Sequence, residues 1–258
     1  MIRAGAAPGY ISVSATHAGR VDTPLLQLSG VTKEYRRGDE LVRAVSNVDL
    51  DVPAARLFAI TGPSGAGKST LLHLIGGLDK PSRGSVLLEG RDLARMTSDE
   101  LTLVRRRRLG FVFQFFNLLP NLPCWQNIAM PLLIDGAAPD EARERAANLA
   151  RKLGISHRLD TRASLLSGGE MQRTAIARAL VAEPALILAD EPTGNLDKAT
   201  GTEVLEILRG LVDDDLRTVV MVTHDAAAAA MADVVVTIVD GTVESQRERV
   251  MEPGRKAG

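Results

Sequence analysis

The chain has 258 residues, 45% of them hydrophobic, enough for one large or two modest domains with a packed core. Its formal net charge is −1, which excludes a general electrostatic attraction to nucleic acid. A single cysteine, Cys124, excludes an internal disulfide framework, and no apolar run approaches the ~18 residues of a membrane-spanning helix, so a membrane role requires a membrane partner.

Residues 1–23 are small and polar, without periodicity, and are expected to form a disordered tail. Gly5, Pro8, Gly9, Ser12 and Ser14 interrupt the apolar core that a signal peptide would need. The folded unit is expected over 24–246, with 247–258 frayed. Segments 25–31 and 41–52 alternate as strands of a small antiparallel sheet, with Tyr35 between them amid charge. Residues 57–61 predict a short buried strand and 71–75 the apolar start of a helix. Between these two lies Gly62-Pro63-Ser64-Gly65-Ala66-Gly67-Lys68-Ser69-Thr70, which reads G-x-x-x-x-G-K-S.

Strand, glycine loop and helix together make a phosphate-binding loop. Glycines let the backbone wrap closely around a phosphate with N–H groups inward, and a helix N-terminus adds positive partial charge. Lys68 brings a full charge to the β- and γ-phosphates, and the Ser69 hydroxyl can ligate Mg²⁺. The plainer alternative is a glycine-rich turn before an ordinary helix.

Farther along, 84–88 predicts a strand. Residues 98–108 predict a helix capped by Ser98, with Asp99 and Glu100 in its first turn and the four arginines 105–108 at its C-terminal end. No aromatic residue interleaves those arginines, so they read as a solvated helix end and not as a nucleic-acid patch. Residues 109–113 form a strand ending at Gln114. Helices follow over 125–133 and 140–153, and no strand signal falls between about 120 and 182, which defines an all-helical insert. The α/β pattern returns with 186–189, a helix over 200–211, a buried strand over 218–222 and a short helix over 226–232, its alanines read as helix propensity. Residues 234–239 and 242–244 pair across Asp240-Gly241.

Four further places carry chemistry. Asp190-Glu191 follows the apolar run 186–189, and a carboxylate at the C-terminal end of a parallel strand lies where doubly wound sheets bind ligands. Asp190 can hold Mg²⁺ there, and Glu191 can reach a water in line with the γ-phosphate. In Leu166-Ser167-Gly168-Gly169-Glu170, Ser167 and Glu170 form a capping box. A pure cap has no use for Gly168 and Gly169, each costing about 1 kcal/mol in a helix, whereas an anion site on an open helix N-terminus does. His224 and Gln114 each end an apolar strand; His224 can donate to a γ-phosphate and Gln114 can ligate Mg²⁺ or water.

The P-loop, Gln114, LSGGE, Asp190-Glu191 and His224 stand in the order and spacing of ABC-transporter ATP-binding subunits, which the chain resembles over about residues 25–245. LSGGE-x-Q-R at 166–173 is the most specific of these signals. The resemblance implies an α/β fold of ABC ATPase type: a P-loop NTPase core with a mostly parallel sheet, an antiparallel β subdomain and a helical insert over about 120–182. It implies ATP as substrate, Mg²⁺ as cofactor, and a head-to-tail dimer of two copies in which each ATP lies between the P-loop of one and the signature of the other. Matched residue by residue, Tyr35 would stack on adenine, Ser167 and Gly169 would meet the γ-phosphate in trans, and Asn195-Leu196-Asp197 would join the two sites. The helical insert and the Gln114 loop would meet an integral-membrane permease, which would hold the chain at the cytoplasmic face of the cell membrane.

A finer match involves the stretches 76–81, 111–120 and 191–197, which look like the macrolide-export and lipoprotein-release group. Met171 departs from it, glutamine being usual there; Cys124 and Trp125 read as packing residues and Arg173 as structural. A related cell-division pair shares much of the pattern, so an ATPase that signals through a membrane partner without transport is the alternative. A DNA-repair or translation ABC protein ranks lower, because the chain has neither a long coiled-coil insert nor a second ATPase half.

Overall fold

The computed structural model describes residues 10–12 and 24–249. Strands β2 (Leu26–Arg37) and β3 (Glu40–Val52) form a long hairpin, and β5 (Arg83–Leu88) and β6 (Arg91–Asp92) extend it to a four-stranded antiparallel sheet in the order β3-β2-β5-β6. Register shifts between Leu28 and Glu34 break the alternation. Periodicity therefore ends β2 too early, and Tyr35 lies within the strand opposite Val42 instead of between the two strands.

The second sheet carries the site. Strands β4 (Leu57–Thr61), β7 (Leu109–Phe113), β8 (Leu186–Asp190), β9 (Thr218–Val222) and β10 (Val234–Val239) run parallel in the order β10-β4-β9-β8-β7. Their nearly unbroken apolar runs follow from cover on both faces. Leu57, Ala59, Ile187, Ala189, Val219 and Met221 face one core, and Phe58, Ile60, Leu186, Leu188, Val220 and Val222 face the other. Helix α1 (Lys68–Ile75) and the antiparallel sheet fill the second core.

Helices α3 (Cys124–Ile134), α4 (Pro139–Lys152) and α5 (Gly168–Leu180) form the helical insert. The insert has no separate core: Ile128, Ala146, Ile155 and Ile176 join the cluster that holds Ile187 and Val219. Cys124 is fully buried against Thr174, and Arg143 lies over the Trp125 ring, so both residues pack as expected. Helix α6 (Lys198–Asp213) covers the same face of the sheet.

Several expectations need correction. Helix α2 (Ser98–Arg107) is capped by Thr97, not Ser98, because Thr97 and Glu100 close a reciprocal capping box. Its arginines are neither a nucleic-acid patch nor merely solvated: Arg105 donates to Gly77 O, Arg106 and Arg107 pair with Asp135, and Arg108 pairs with Glu89. In α7 (Ala226–Ala230), Ala228 is fully buried, as is Ala232 beyond it, so those alanines fill the core as well as favouring helix. Strand β11 (Thr242–Arg249) pairs with β10 across the Asp240-Gly241 turn, so residues 247–249 are in a strand and not frayed. Residues 10–12, expected to be disordered, form strand β1 (Tyr10–Ser12) on the free edge of β11. The other residues of both expected tails lie outside the described residues.

Candidate functional site

Strand β4 delivers the chain to the loop 62–67, and α1 leaves from it. Gly62, Gly65 and Gly67 all have positive φ. A Cβ on Gly62 would sit 2.0 Å from the Ile238 carbonyl oxygen, and one on Gly67 2.0 Å from that of Ala44, so both positions exclude a side chain. No side chain caps α1, whose first N–H groups face the loop. Lys68 is buried, and its Nζ donates to Gly62 O at 2.9 Å and Pro63 O at 2.8 Å. The ammonium is thus folded over the concavity that the loop makes.

Strand order brings the carboxylates to this loop. Ser69 Oγ donates to Asp190 Oδ1 at 3.2 Å across 121 residues of sequence. Burial pushes the Asp190 carboxyl above its ordinary value, opposed by the Ser69 hydrogen bond and the charge of His73. Glu191 leaves the strand with φ +47, a left-handed conformation uncommon for a non-glycine residue. Its Oε1 lies 2.9 Å from His224 Nδ1, and the His224 N–H donates to Oε2 at 3.4 Å. Glu191, Thr193, Gly194, His224, Asp225 and Ala226 line a cavity of about 410 Å³.

Gln114 follows β7, whose Phe113 is opposite Asp190 in register. Its carbonyl accepts from Asn195 Nδ2 at 2.9 Å, and a Cβ on Gly194 would lie 2.8 Å from its Nε2. The Gln114 loop and the 191–197 loop therefore pack as one unit. Beyond Gln114, Phe116 and Asn117 both have positive φ, and their carbonyls accept from Arg178 of α5. Burial pushes that guanidinium down to about 10. Arg178 was not singled out from the sequence; the available signal was a cation within the apolar face of a helix.

At the N-terminus of α5, Ser167 Oγ accepts the Glu170 N–H at 3.3 Å and Glu170 Oε2 accepts the Ser167 N–H at 2.8 Å, the predicted box. Glu170 Oε1 also accepts from Arg158 Nε at 2.7 Å. Burial raises this carboxyl, but the Ser167 N–H and the Arg158 guanidinium more than compensate and bring it from 4.5 down to about 2. A group depressed in the folded state adds stability above its ordinary value and loses it as pH falls through the folded one. The melting-temperature advantage of wild type over Glu170→Gln is expected to be full above about pH 5 and to close as pH approaches about 2. Thermal melts of both proteins across that range check it; a constant difference would assign the effect to shape alone.

The structure adds a reason for the signature glycines. A Cβ on Gly169 would lie 2.6 Å from Thr200 Cγ2, and one on Gly168 3.3 Å from Leu196 Cδ2. Asp197 caps α6 and binds the Thr200 hydroxyl at 2.6 Å. The nearest neighbours of these glycines are thus the 195–200 segment and not the P-loop of the same chain. Arg173 pairs with Glu203 at 2.9 Å. The Tyr35 hydroxyl donates to Asp79 Oδ2 at 2.9 Å.

Residues 45–194 match the ABC transporter family, more than half of the chain. The chain belongs to the ABC transporter family. Among curated relatives, it is 46% identical over 230 residues to the macrolide export ATP-binding/permease protein MacB of Bordetella avium, covering 89% of this chain but 35% of that one. It therefore spans about a third of the length of these macrolide-export relatives. It is 45% identical over 224 residues to the lipoprotein-releasing system ATP-binding protein LolD of Shewanella sp. (strain MR-4), covering 87% of this chain and 97% of that one. Among solved structures, the ATP-binding cassette MJ0796, dimeric and bound to ADP and Pi, superimposes with a TM-score of 0.81 at 39% identity, over 88% of this chain and 99% of that one. CbiO1 from Clostridium perfringens gives a TM-score of 0.77 at 28% identity, over 87% and 88%. The fold is that of an ABC ATPase cassette, and the chain is an ATP-binding ATPase.

Proposed function

We propose that this ABC ATPase is the nucleotide-binding subunit of an export-type permease system of the macrolide-export or lipoprotein-release kind. The carrying observation is the Glu191–His224 pair next to Asp190, all three at or just beyond the C-terminal ends of parallel strands, with Asp190 bonded to Ser69 of the P-loop. Two copies would pair head to tail, so that Ser167, Gly168 and Gly169 of one complete the site of the other. The packing of those glycines against their own 195–200 segment and not their own P-loop supports this reading.

The chemistry follows from the geometry. The loop N–H groups of Gly62, Pro63, Ser64, Gly65, Ala66 and Gly67 (all but the proline) and those of Lys68, Ser69 and Thr70 hold phosphate oxygens, and Tyr35 stacks on adenine. Lys68 exchanges its loop carbonyls for β- and γ-phosphate oxygens and stabilises charge in transfer. Glu191 accepts a proton from the attacking water. Its contact with His224 Nδ1 fixes the carboxylate, and His224 would donate to the γ-phosphate.

The oxygens of Ser69, Gln114 and Asp190 suit Mg²⁺. They are hard donors with one carboxylate, a set that relies on substrate phosphates to complete an octahedron, and the buried Asp190 gains from a cation. Bound there, Mg²⁺ would neutralise β- and γ-phosphate charge.

Among the described residues no helix is long and apolar enough to cross a membrane. The permease contact falls on the Gln114 loop and the insert. Phe115 is 73% exposed and Leu165 71%, with Leu119 also exposed. Backbone bonds from Ser164 to Pro120 and from Ala163 to Leu122 bring these segments together. Such a set of exposed apolar side chains marks an interaction site, and it would hold the chain at the cytoplasmic face. Tagged Glu191→Gln protein with ATP is expected to retain an integral-membrane permease from solubilised membranes, and Leu165→Glu to release it. Retention of no membrane protein would overturn the permease reading. Absence of substrate transport by the reconstituted pair would leave a signalling ATPase.

A further inference from the structure

The adenine end of the site contains an ion cluster with no assigned role. Gly76 and Gly77 end α1 and fold the chain back, so that the Leu78 and Asp79 N–H groups both reach the His73 carbonyl. Asp79 is thereby set beside the helix that starts at the phosphate loop. Three donors converge on its carboxylate. Oδ1 accepts from Lys33 Nζ at 2.6 Å and from the Lys80 N–H at 2.7 Å, and Oδ2 accepts from the Tyr35 hydroxyl at 2.9 Å. Lys33 is itself held by the Lys80 carbonyl at 2.8 Å, and its ammonium lies over the Tyr35 ring, 5.0 Å from the centroid.

We propose that Asp79 is a positioning residue for nucleotide binding: it fixes the Tyr35 ring, with Lys33 seated on one face, in the orientation on which the purine of ATP stacks. This rests on the reading of Tyr35 as the adenine-stacking residue. Tyr35 is on β2 and is 40% exposed, and the anchor of its hydroxyl is Asp79. A free tyrosine on a strand surface loses rotational freedom each time a base stacks on it. Tying the phenol to Asp79 meets that cost before the nucleotide arrives, which is how preorganisation raises affinity. A cation on one ring face is itself favourable, and Asp79 keeps it there by neutralising it. Burial and the Asp79 carboxylate push the Tyr35 phenol above its ordinary value, against a hydrogen bond from Thr70, so the hydroxyl stays protonated and able to donate.

The test separates the base from the phosphates. Dissociation constants for ATP and for inorganic tripolyphosphate, both with Mg²⁺, are measured by calorimetry on the full chain. Tyr35→Ala is expected to weaken ATP by about tenfold or more, with tripolyphosphate unchanged. Asp79→Ala and Tyr35→Phe are each expected to weaken ATP about three- to tenfold and leave tripolyphosphate unchanged, and the double variant to be no weaker than either single one. Tyr35→Phe alters only the hydroxyl, so the proposal remains testable if Asp79→Ala does not fold. Asp79→Ala binding ATP like wild type, or weakening both ligands alike, would overturn the role of Asp79 while the Tyr35→Ala result still upheld stacking. Equal effects of Tyr35→Ala on both ligands would overturn the stacking reading itself.

Discussion

Glu191→Gln is expected to lower steady-state ATP turnover at least ~100-fold while ATP affinity stays near that of wild type, because a general base contributes typically 10²–10⁴-fold. The neighbouring Asp190 is engaged by Ser69, and Glu191 is the residue after the strand end and has positive φ. Its oxygens meet the imidazole Nδ1 and the backbone N–H of His224. A glutamine has the same shape, and its carbonyl oxygen can keep accepting from the His224 ring. The substitution therefore removes the proton acceptor and leaves the loop in place. It also removes one negative charge from the side of the cavity where the γ-phosphate would lie, so nothing in it opposes ATP binding. Turnover is read by phosphate release and affinity by calorimetry on the same preparation. Hydrolysis within threefold of wild type would remove Glu191 from the base role and leave the in-line water to another group.

Much of this site was legible in the sequence because its parts sit at strand ends, where short apolar runs announce themselves. The runs 57–61, 109–113 and 218–222 predicted β4, β7 and β9 residue for residue. Since ligands gather at the C-terminal ends of parallel strands, Gln114, Glu191 and His224, each within two residues of such a strand end, were candidates at once. What stayed hidden depends on contacts distant in sequence. Nothing local to Gly169 shows that Thr200 fills the space where a Cβ would go. Arg178 lies 61 and 62 residues from the carbonyls it holds, and Asp79 is 44 residues from Tyr35. The antiparallel sheet was read short for a different reason. Its register shifts put two residues of one strand against one of the other, which interrupts the period-two pattern that identifies a strand. The helical insert, set apart by its lack of strands, is continuous with the rest in its packing, because α5 lies against α3 and β7 alike.

That continuity bears on the dimer. If the signature of one copy completes the P-loop of another, defects in the two motifs should complement between chains. Lys68→Ala removes the cation folded over the P-loop, and Gly169→Asp places a carboxylate where Thr200 Cγ2 already limits the space and where a phosphate would approach. Each variant alone is expected to lose ATPase activity about 100-fold or more, the scale on which loss of a preorganised electrostatic contact acts. Mixed in equal amounts, they form heterodimers with one doubly defective site and one made entirely of intact motifs. With random pairing, half of the dimers are mixed and half of their sites are whole, so the mixture is expected to recover about a quarter of wild-type activity. A site built within one chain gives the opposite result, because every chain in the mixture then carries one broken motif and no combination repairs it. Activity of the mixture no higher than that of either variant would therefore refute the shared site, whatever the oligomeric state. Recovery near a quarter would place Ser167 and Gly169 against the partner's nucleotide. The Gly169–Thr200 and Gly194–Gln114 packing would then join each chain's signature to its own Gln114 loop through 194–200, which gives closure at one ATP a rigid path to the other.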